Sequence, residues 1–131
     1  MIKGVKVIER IRLSDERGWF IKAIDGAEDG LPKYTGEIYV TTAIPNQSKG
    51  GDYSLTANKW FTIINGRADL LLEDIETHER MSIILDSNTP KTVFVPCKVA
   101  NIFINNYDID FILLVYADQK YDKNDMVTYK L

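Results

Sequence analysis

The sequence has few of the residues from which metal sites and disulfides are built. Its 131 residues include one cysteine, Cys97, and one histidine, His78. A lone cysteine closes no intrachain disulfide and supplies no thiolate zinc site. A lone histidine excludes every two-histidine relay and every histidine-rich ligand set. Long apolar runs are missing too. The longest, Phe111–Tyr116, falls far short of a membrane span. The opening MIKGVKVIERIRL is charged throughout and carries no apolar signal-peptide segment. The cytoplasm is therefore the expected compartment, and no membrane partner is expected. Without a secretory signal, the sequon Asn46-Gln47-Ser48 reads as chance. Nor is there an excess of positive charge. Sixteen basic residues face nineteen acidic ones, a net charge of −3, which argues against nucleic acid as a partner. A local basic pocket for one phosphate ligand stays open.

What remains is the balance of a single globular domain spanning residues 1–131, with 45% apolar and 27% charged residues. The local signal is strand. Val5–Ile11, Trp19–Ile24, Ile38–Ala43, Trp60–Ile64, Ala68–Leu72, Met81–Leu85, Thr92–Val95, Val99–Ile104 and Phe111–Tyr116 are short and rich in β-branched or aromatic residues. Asp15-Glu16-Arg17-Gly18, Asn65-Gly66, Asp74–Glu79, Ser87-Asn88-Thr89-Pro90 and Asn105-Asn106 read as turns. The Asn65-Gly66 signal makes Trp60–Leu72 a predicted hairpin. No window shows a 3.6-residue period, although Lys120–Asp125 has room for one helical turn. Strands at this spacing predict an all-β, single-domain antiparallel sandwich or barrel. The edge strands of such a fold are often covered by dimerisation or strand exchange.

Three segments carry more information. They are Ser14-Asp15-Glu16-Arg17-Gly18-Trp19-Phe20, then Lys49-Gly50-Gly51-Asp52-Tyr53-Ser54 followed by Lys59-Trp60-Phe61, then Val95-Pro96-Cys97-Lys98-Val99-Ala100-Asn101-Ile102-Phe103. In this order and spacing the chain resembles the RmlC-like cupins, the dTDP-4-dehydrorhamnose 3,5-epimerases and the related dTDP-sugar 3,4-ketoisomerases. The resemblance implies a jelly-roll barrel that dimerises and acts on a nucleotide-linked 4-keto-6-deoxyhexose in deoxysugar or polysaccharide biosynthesis. It implies that Arg17 holds the nucleotide diphosphate, a task suited to a bidentate guanidinium. Lys49 stands where the family has arginine. Asp52 stands at the catalytic histidine, Ser54 at the ketoisomerases' second histidine, and Asn101 at the histidine of the third motif, where Lys98 replaces a glycine. Lys59 matches the family lysine that opens the next strand. Tyr121 is the closest match to a tyrosine of the tail, with Tyr116 upstream of it.

The family reaction removes a proton beside the 4-keto group and returns it. It needs a base, a positive group facing the oxyanion and an acid. The resemblance assigns these roles to Asp52, Lys59 and Tyr121, with Arg17, Lys49, Tyr53, Ser54, Asn101 and Tyr116 as substrate contacts. An aspartate has an ordinary pKa of about 3.9, so it is a weak base unless burial raises it. A direct Asp52–Lys59 salt bridge is the competing expectation. Metal-binding cupins use histidines and a glutamate where this chain has Asp52, Ser54, Lys59 and Asn101. One carboxylate is too little for a transition metal, so no metal and no cofactor are expected. His78 reads as a solvated turn residue and Cys97 as packing. Of Trp60 and Phe61, strand alternation turns one inward and the other outward. Asp118–Asp125 reads as a solvated surface apart from Tyr121. The alternative functions are an inactive cupin that binds a nucleotide sugar or other carbohydrate, and a structural, dimer-forming barrel.

Overall fold

The structure, a computed structural model, describes residue 3 and residues 11–27 and 36–131. Among them two antiparallel sheets face each other. The strands are β1 (Arg12–Asp15), β2 (Gly18–Ile24), β3 (Glu37–Ala43), β4 (Ser48–Ser54), β5 (Lys59–Asn65), β6 (Arg67–Asp74), β7 (Arg80–Asp86), β8 (Thr92–Val95), β9 (Val99–Ile104), β10 (Phe111–Ala117) and β11 (Met126–Thr128). The larger sheet runs β1-β2-β3-β10-β5-β8 and the smaller β11-β4-β9-β6-β7. No described helix is long and apolar enough to cross a membrane.

Period-two alternation explains the core. On β10, Phe111, Leu113, Val115 and Ala117 are buried while the residues between them are only partly covered. On β5, Phe61 and Ile63 turn inward. From the facing sheet, Leu70 on β6, Leu85 on β7 and Phe103 on β9 complete the cluster. The rings of Phe61 and Phe103 meet across the sandwich with centroids 4.8 Å apart. Phe61 is 4% exposed and its neighbour Trp60 36%, as alternation demands. Asn105 is buried in the β9–β10 turn, where its amide donates to the carbonyls of Ala43 and Ile109. Its side-chain oxygen accepts the Tyr107 amide.

The all-β sandwich agrees with the sequence reading, and most predicted strands lie within observed ones. The 3-10 turn Lys123–Asp125 falls inside the predicted helical turn. Of the predicted strand Val5–Ile11, residues 5–10 lie outside the described residues, and Ile11 is not in a strand. The predicted hairpin Trp60–Leu72 is corrected. β5 pairs with β10 and β8, whereas β6 pairs with β7 and β9 in the other sheet. Gly66 alone separates them. It has φ of 77°, and a Cβ there would stand 2.7 Å from the carbonyl oxygen of Asp110. The chain thus turns a corner from one sheet to the other instead of folding back on itself. The hairpin that does form joins β6 to β7 through the predicted turn Asp74–Glu79, where Asp74 Oδ1 accepts the amides of Glu76 and Thr77.

β4 was not legible as a strand. Ser48-Lys49-Gly50-Gly51-Asp52-Tyr53-Ser54 has no β-branched residue and two adjacent glycines. Its conformation comes from its partners, β9 on one side and β11 on the other. The pairing with β9 slips between Gly50 and Asp52, so Gly51 is an extra, bulged residue. Gly50 and Gly51 both have positive φ, and a Cβ on Gly50 would lie 2.8 Å from the Asn101 carbonyl oxygen. Only glycine fits that approach without displacement.

Candidate active site

At one end the two sheets separate around a cavity of about 460 Å³. Its floor is apolar, formed by Phe61, Phe103, Leu113 and Val115. Its walls are charged. The larger sheet contributes Lys22, Glu37, Tyr39 and Lys59, the smaller Lys49, Asp52 and Asn101, and the segment after β10 closes one side with Lys120, Tyr121, Asp122 and Asp125.

The glycine bulge explains how Asp52 reaches this space. In unbroken alternation Lys49 and Asp52, three residues apart, would face opposite ways. The extra residue Gly51 puts both into the cavity. Lys59 arrives by plain alternation, two residues before inward-facing Phe61. Each group senses the other. Burial pushes the Asp52 carboxyl up from its ordinary value, and the Lys59 charge works against that rise. Burial pushes the Lys59 ammonium down, and Asp52, Asp125 and Glu37 work against that fall. The expected salt bridge does not form. Among the described residues, no carboxylate oxygen lies within 4 Å of the Lys59 ammonium. Its nearest polar partner is the Met126 sulfur at 3.8 Å.

Arg17 and Lys49 stand together at the rim. Asp15 grips Arg17 through Nε at 3.1 Å and Nη2 at 2.6 Å. These bonds hold the Asp15 carboxyl down at about 2 and raise Arg17 further above its ordinary value. Burial and the Arg17 charge both lower Lys49. Two cations that repel each other at the edge of a cavity form a ready anion site.

Glu37 and Tyr39 line the cavity although no sequence motif marks them. The predicted strand began at Ile38, and an apolar-in reading would have turned Ile38 and Val40 toward the core. The inside here is a cavity, so the polar positions Glu37, Tyr39 and Thr41 face it. Glu37 is 1% exposed. It pairs with Lys22 Nζ at 2.9 Å and accepts the backbone amide of Tyr121. It thereby ties the segment after β10 to the cavity wall. The Tyr121 phenol itself is at the mouth, 58% exposed, with Lys22 Nζ 5.7 Å from its ring centroid. The Tyr39 phenol is raised from its ordinary value, first by burial and then by the Asp52 and Glu37 charges.

The structure thus brings together Arg17, Lys49, Asp52, Lys59, Asn101 and Tyr121. It does not bring Tyr53, Ser54 or Tyr116 to the cavity. The bulge that turns Asp52 in turns Tyr53 out, and Tyr53 packs edge-on to Tyr129 with centroids 5.8 Å apart. Ser54 is buried beneath Met126, its hydroxyl 3.3 Å from the sulfur. Tyr116 falls between inward Val115 and Ala117, so it packs on the outer face against Trp60. Lys98 has φ of 62°, a left-handed conformation that accounts for glycine at this position in the resembled family. Among the described residues no three His, Cys, Asp or Glu side chains cluster as a metal-ligand set.

The sequence profile of the polysaccharide biosynthesis C-terminal domain matches residues 13–129. No curated protein matches the sequence significantly. Several solved structures share the fold. The capsular polysaccharide assembling protein CapF from Staphylococcus aureus superposes with a TM-score of 0.84 at 18% identity, over 95% of this chain and 34% of its own. This chain therefore spans about a third of the length of CapF. A variant of the 3,4-ketoisomerase QdtA from Thermoanaerobacterium thermosaccharolyticum, solved with TDP-4-keto-6-deoxyglucose, gives 0.62 at 20% identity, covering 98% of this chain and 89% of its own. The dTDP-6-deoxy-D-glucose-3,5-epimerase RmlC from Legionella pneumophila, solved with dTDP-4-keto-L-rhamnose, gives 0.64 at 15% identity over 92% and 69%. These likenesses identify the fold as an RmlC-like cupin.

Proposed function

This chain belongs to the polysaccharide biosynthesis C-terminal domain family, and from that premise we propose that its cavity binds a dTDP-linked 4-keto-6-deoxyhexose and enolises it beside the keto group, as an epimerase or ketoisomerase. One observation carries the reading. A half-buried carboxylate on one sheet and a half-buried amine on the other share a cavity without forming an ion pair. Proton abstraction from carbon needs that pairing, a base at the C–H bond and a positive group at the keto oxygen. A volume of about 460 Å³ is within the range of small-molecule sites. Arg17 and Lys49 hold the diphosphate at the rim. Arg17 retains Nη1 for it, because Asp15 engages only Nε and Nη2. Asp52 takes the proton, and the elevation of its carboxyl by burial moves it toward the pH at which a base works best. Lys59 supplies positive charge at the keto group, Tyr121 returns a proton from the mouth, and Asn101 contacts the sugar. Side chains alone carry this chemistry, with no metal or cofactor.

The whole reading takes residues 1–131 as one domain working in the cytoplasm. It takes the protein as a homodimer, supported by the outward aromatic cluster of Trp60, Phe94 and Tyr116. The substitution of Asp52, Ser54 and Asn101 at the family's histidine positions favours one rival, a cupin that binds the same ligand without turning it over. Proton NMR of dTDP-4-keto-6-deoxyglucose with the protein in deuterated water separates the two. Enolisation removes the C3 or C5 proton signal faster than in a protein-free control. Broadened ligand lines without exchange identify the binder, and neither effect rejects this sugar.

A further inference from the structure

We propose that Lys59 acts on the keto group covalently, condensing with its carbon to form an iminium, so that the weak base Asp52 meets a carbon acid strong enough to deprotonate. This deepens the keto-sugar reading and rests on it.

Three features of the cavity point there. First, Lys59 has the surroundings of a nucleophile. It faces the cavity from β5 in phase with Phe61 and Ile63, stands over an apolar floor, and has no carboxylate within 4 Å among the described residues. A lysine serving only as a fixed cation is normally held by such a partner, which also keeps it protonated. Here its nearest polar neighbour is the Met126 sulfur, 3.8 Å away. That atom accepts weakly and carries no charge. Second, the protein has no histidine at the cavity, since His78 lies in the β6–β7 turn. The base left to it is a carboxylate, which is poorly matched to a proton beside a simple ketone. Replacing C=O by C=N⁺ raises the acidity of the neighbouring C–H, which restores the match. Third, Lys22, the other lysine that the larger sheet contributes to the cavity wall, is committed elsewhere: it pairs with Glu37. Burial lowers Lys59 from its ordinary value, the direction a nucleophilic amine needs, while the Asp52, Asp125 and Glu37 charges work against that fall.

The chemistry balances. The Lys59 nitrogen lone pair forms a bond to the keto carbon, and the C=O π electrons pass to oxygen. That oxygen takes one proton from the attacking nitrogen and one from solvent at the open mouth and leaves as water, and the nitrogen lone pair closes the C=N⁺ bond of the iminium. Asp52 accepts the proton of the adjacent carbon, and the C–H electrons flow into C=N⁺ as an enamine. Reprotonation of carbon and addition of water return the ketone and the free amine.

Borohydride trapping tests this. The protein is incubated with dTDP-4-keto-6-deoxyglucose, reduced, digested and mapped by mass. The expected result is a sugar-nucleotide adduct on the Lys59 peptide, retained in Asp52→Asn and lost in Lys59→Arg, with deuterium exchange lost in both. Lys59→Arg preserves the positive charge but not the nucleophile, so exchange that survives in it overturns the proposal. Exchange in the wild type with no adduct also overturns it, while leaving the keto-sugar reading intact. Pyridoxal 5′-phosphate, a phosphorylated aldehyde, is reduced onto the protein in parallel. An adduct concentrated at Lys59 with this probe, but no exchange and no adduct with the sugar, supports the amine's reactivity and rejects the sugar. Absence of both adducts overturns the proposal.

Discussion

The two ends of this sandwich are built from the same strands and differ in what those strands turn inward. On β5 the inward series runs Ile63, Phe61, Lys59, and on β10 it runs Phe111, Leu113, Val115, Ala117. On β9, Phe103 is followed inward by Asn101. At the closed end, large apolar side chains fill the space between the sheets, and Phe111, Leu70 and Phe103 are almost wholly buried. At the open end, the same periodicity presents small or charged residues, and a cavity takes the place of packing. The closed end supplies stability through area removed from water. The open end is costly, because Asp52 and Lys59 are both held where their charges are disfavoured. Alternation is therefore a statement about direction only, and what lies inside is settled by the residue placed there.

The sharpest way to break this comparison is to empty the closed end. Phe111→Ala is expected to cost about 3–5 kcal/mol of unfolding free energy, read by urea denaturation, because no cavity lining can relax into the hole.

At the open end the sign reverses for stability and not for chemistry. Asp52→Asn is expected to cut deuterium exchange by about a hundredfold or more while leaving stability at neutral pH unchanged or higher. The pH dependence follows from the direction of the shift. A carboxyl raised by folding binds its proton more tightly in the native state than in the unfolded one. Its contribution is therefore most favourable below the unfolded value of 3.8 and is lost as pH rises through the higher folded value. Urea midpoints followed upward from pH 4 should show this loss in the wild type, and the asparagine variant should not share it.

Glu37 joins the two ends, since it is buried like a core residue but faces the cavity. Glu37→Gln is expected to cost about 1–3 kcal/mol by leaving Lys22 without its partner. It should also raise the amide exchange rate of Tyr121, whose N–H it accepts. Stability lost with no change at Tyr121 would make Glu37 a packing residue alone. The smallest effect is expected at the rim. Arg17→Ala should weaken dTDP binding about tenfold by calorimetry, and it should change stability within about 0.5 kcal/mol.

Much of the fold was legible because β-branched runs and turn residues act locally. Strands β2, β3, β5, β8 and β10 of the larger sheet, the Asp15–Gly18 turn before β2 and the Asp74–Glu79 turn were readable, whereas β1 was not. β4 and the Asn65-Gly66 corner were not. A Gly-Gly strand has no local preference to read, and Asn-Gly announces a reversal of direction without saying whether the chain returns to the same sheet. The candidate site was half legible. Residue type and motif order pointed to Arg17, Lys49, Asp52, Lys59, Asn101 and Tyr121. They also pointed to Tyr53, Ser54 and Tyr116, which have suitable chemistry but face other surroundings. Glu37 and Tyr39 escaped because the apolar-in rule assumes a filled interior.

The sequence by itself determined the composition of this chemistry: carboxylates and lysines in number, a single histidine in the whole chain, and a β-rich chain able to bury a core. Those are properties of side chains and short windows, and neighbours in space do not change them. Only the tertiary structure decided which residues share the cavity and whether they neutralise one another. A single bulged glycine reverses every later side chain on its strand, and the distance between two sheets is set by the packing at their other end. Charge separation between Asp52 and Lys59 depends on both.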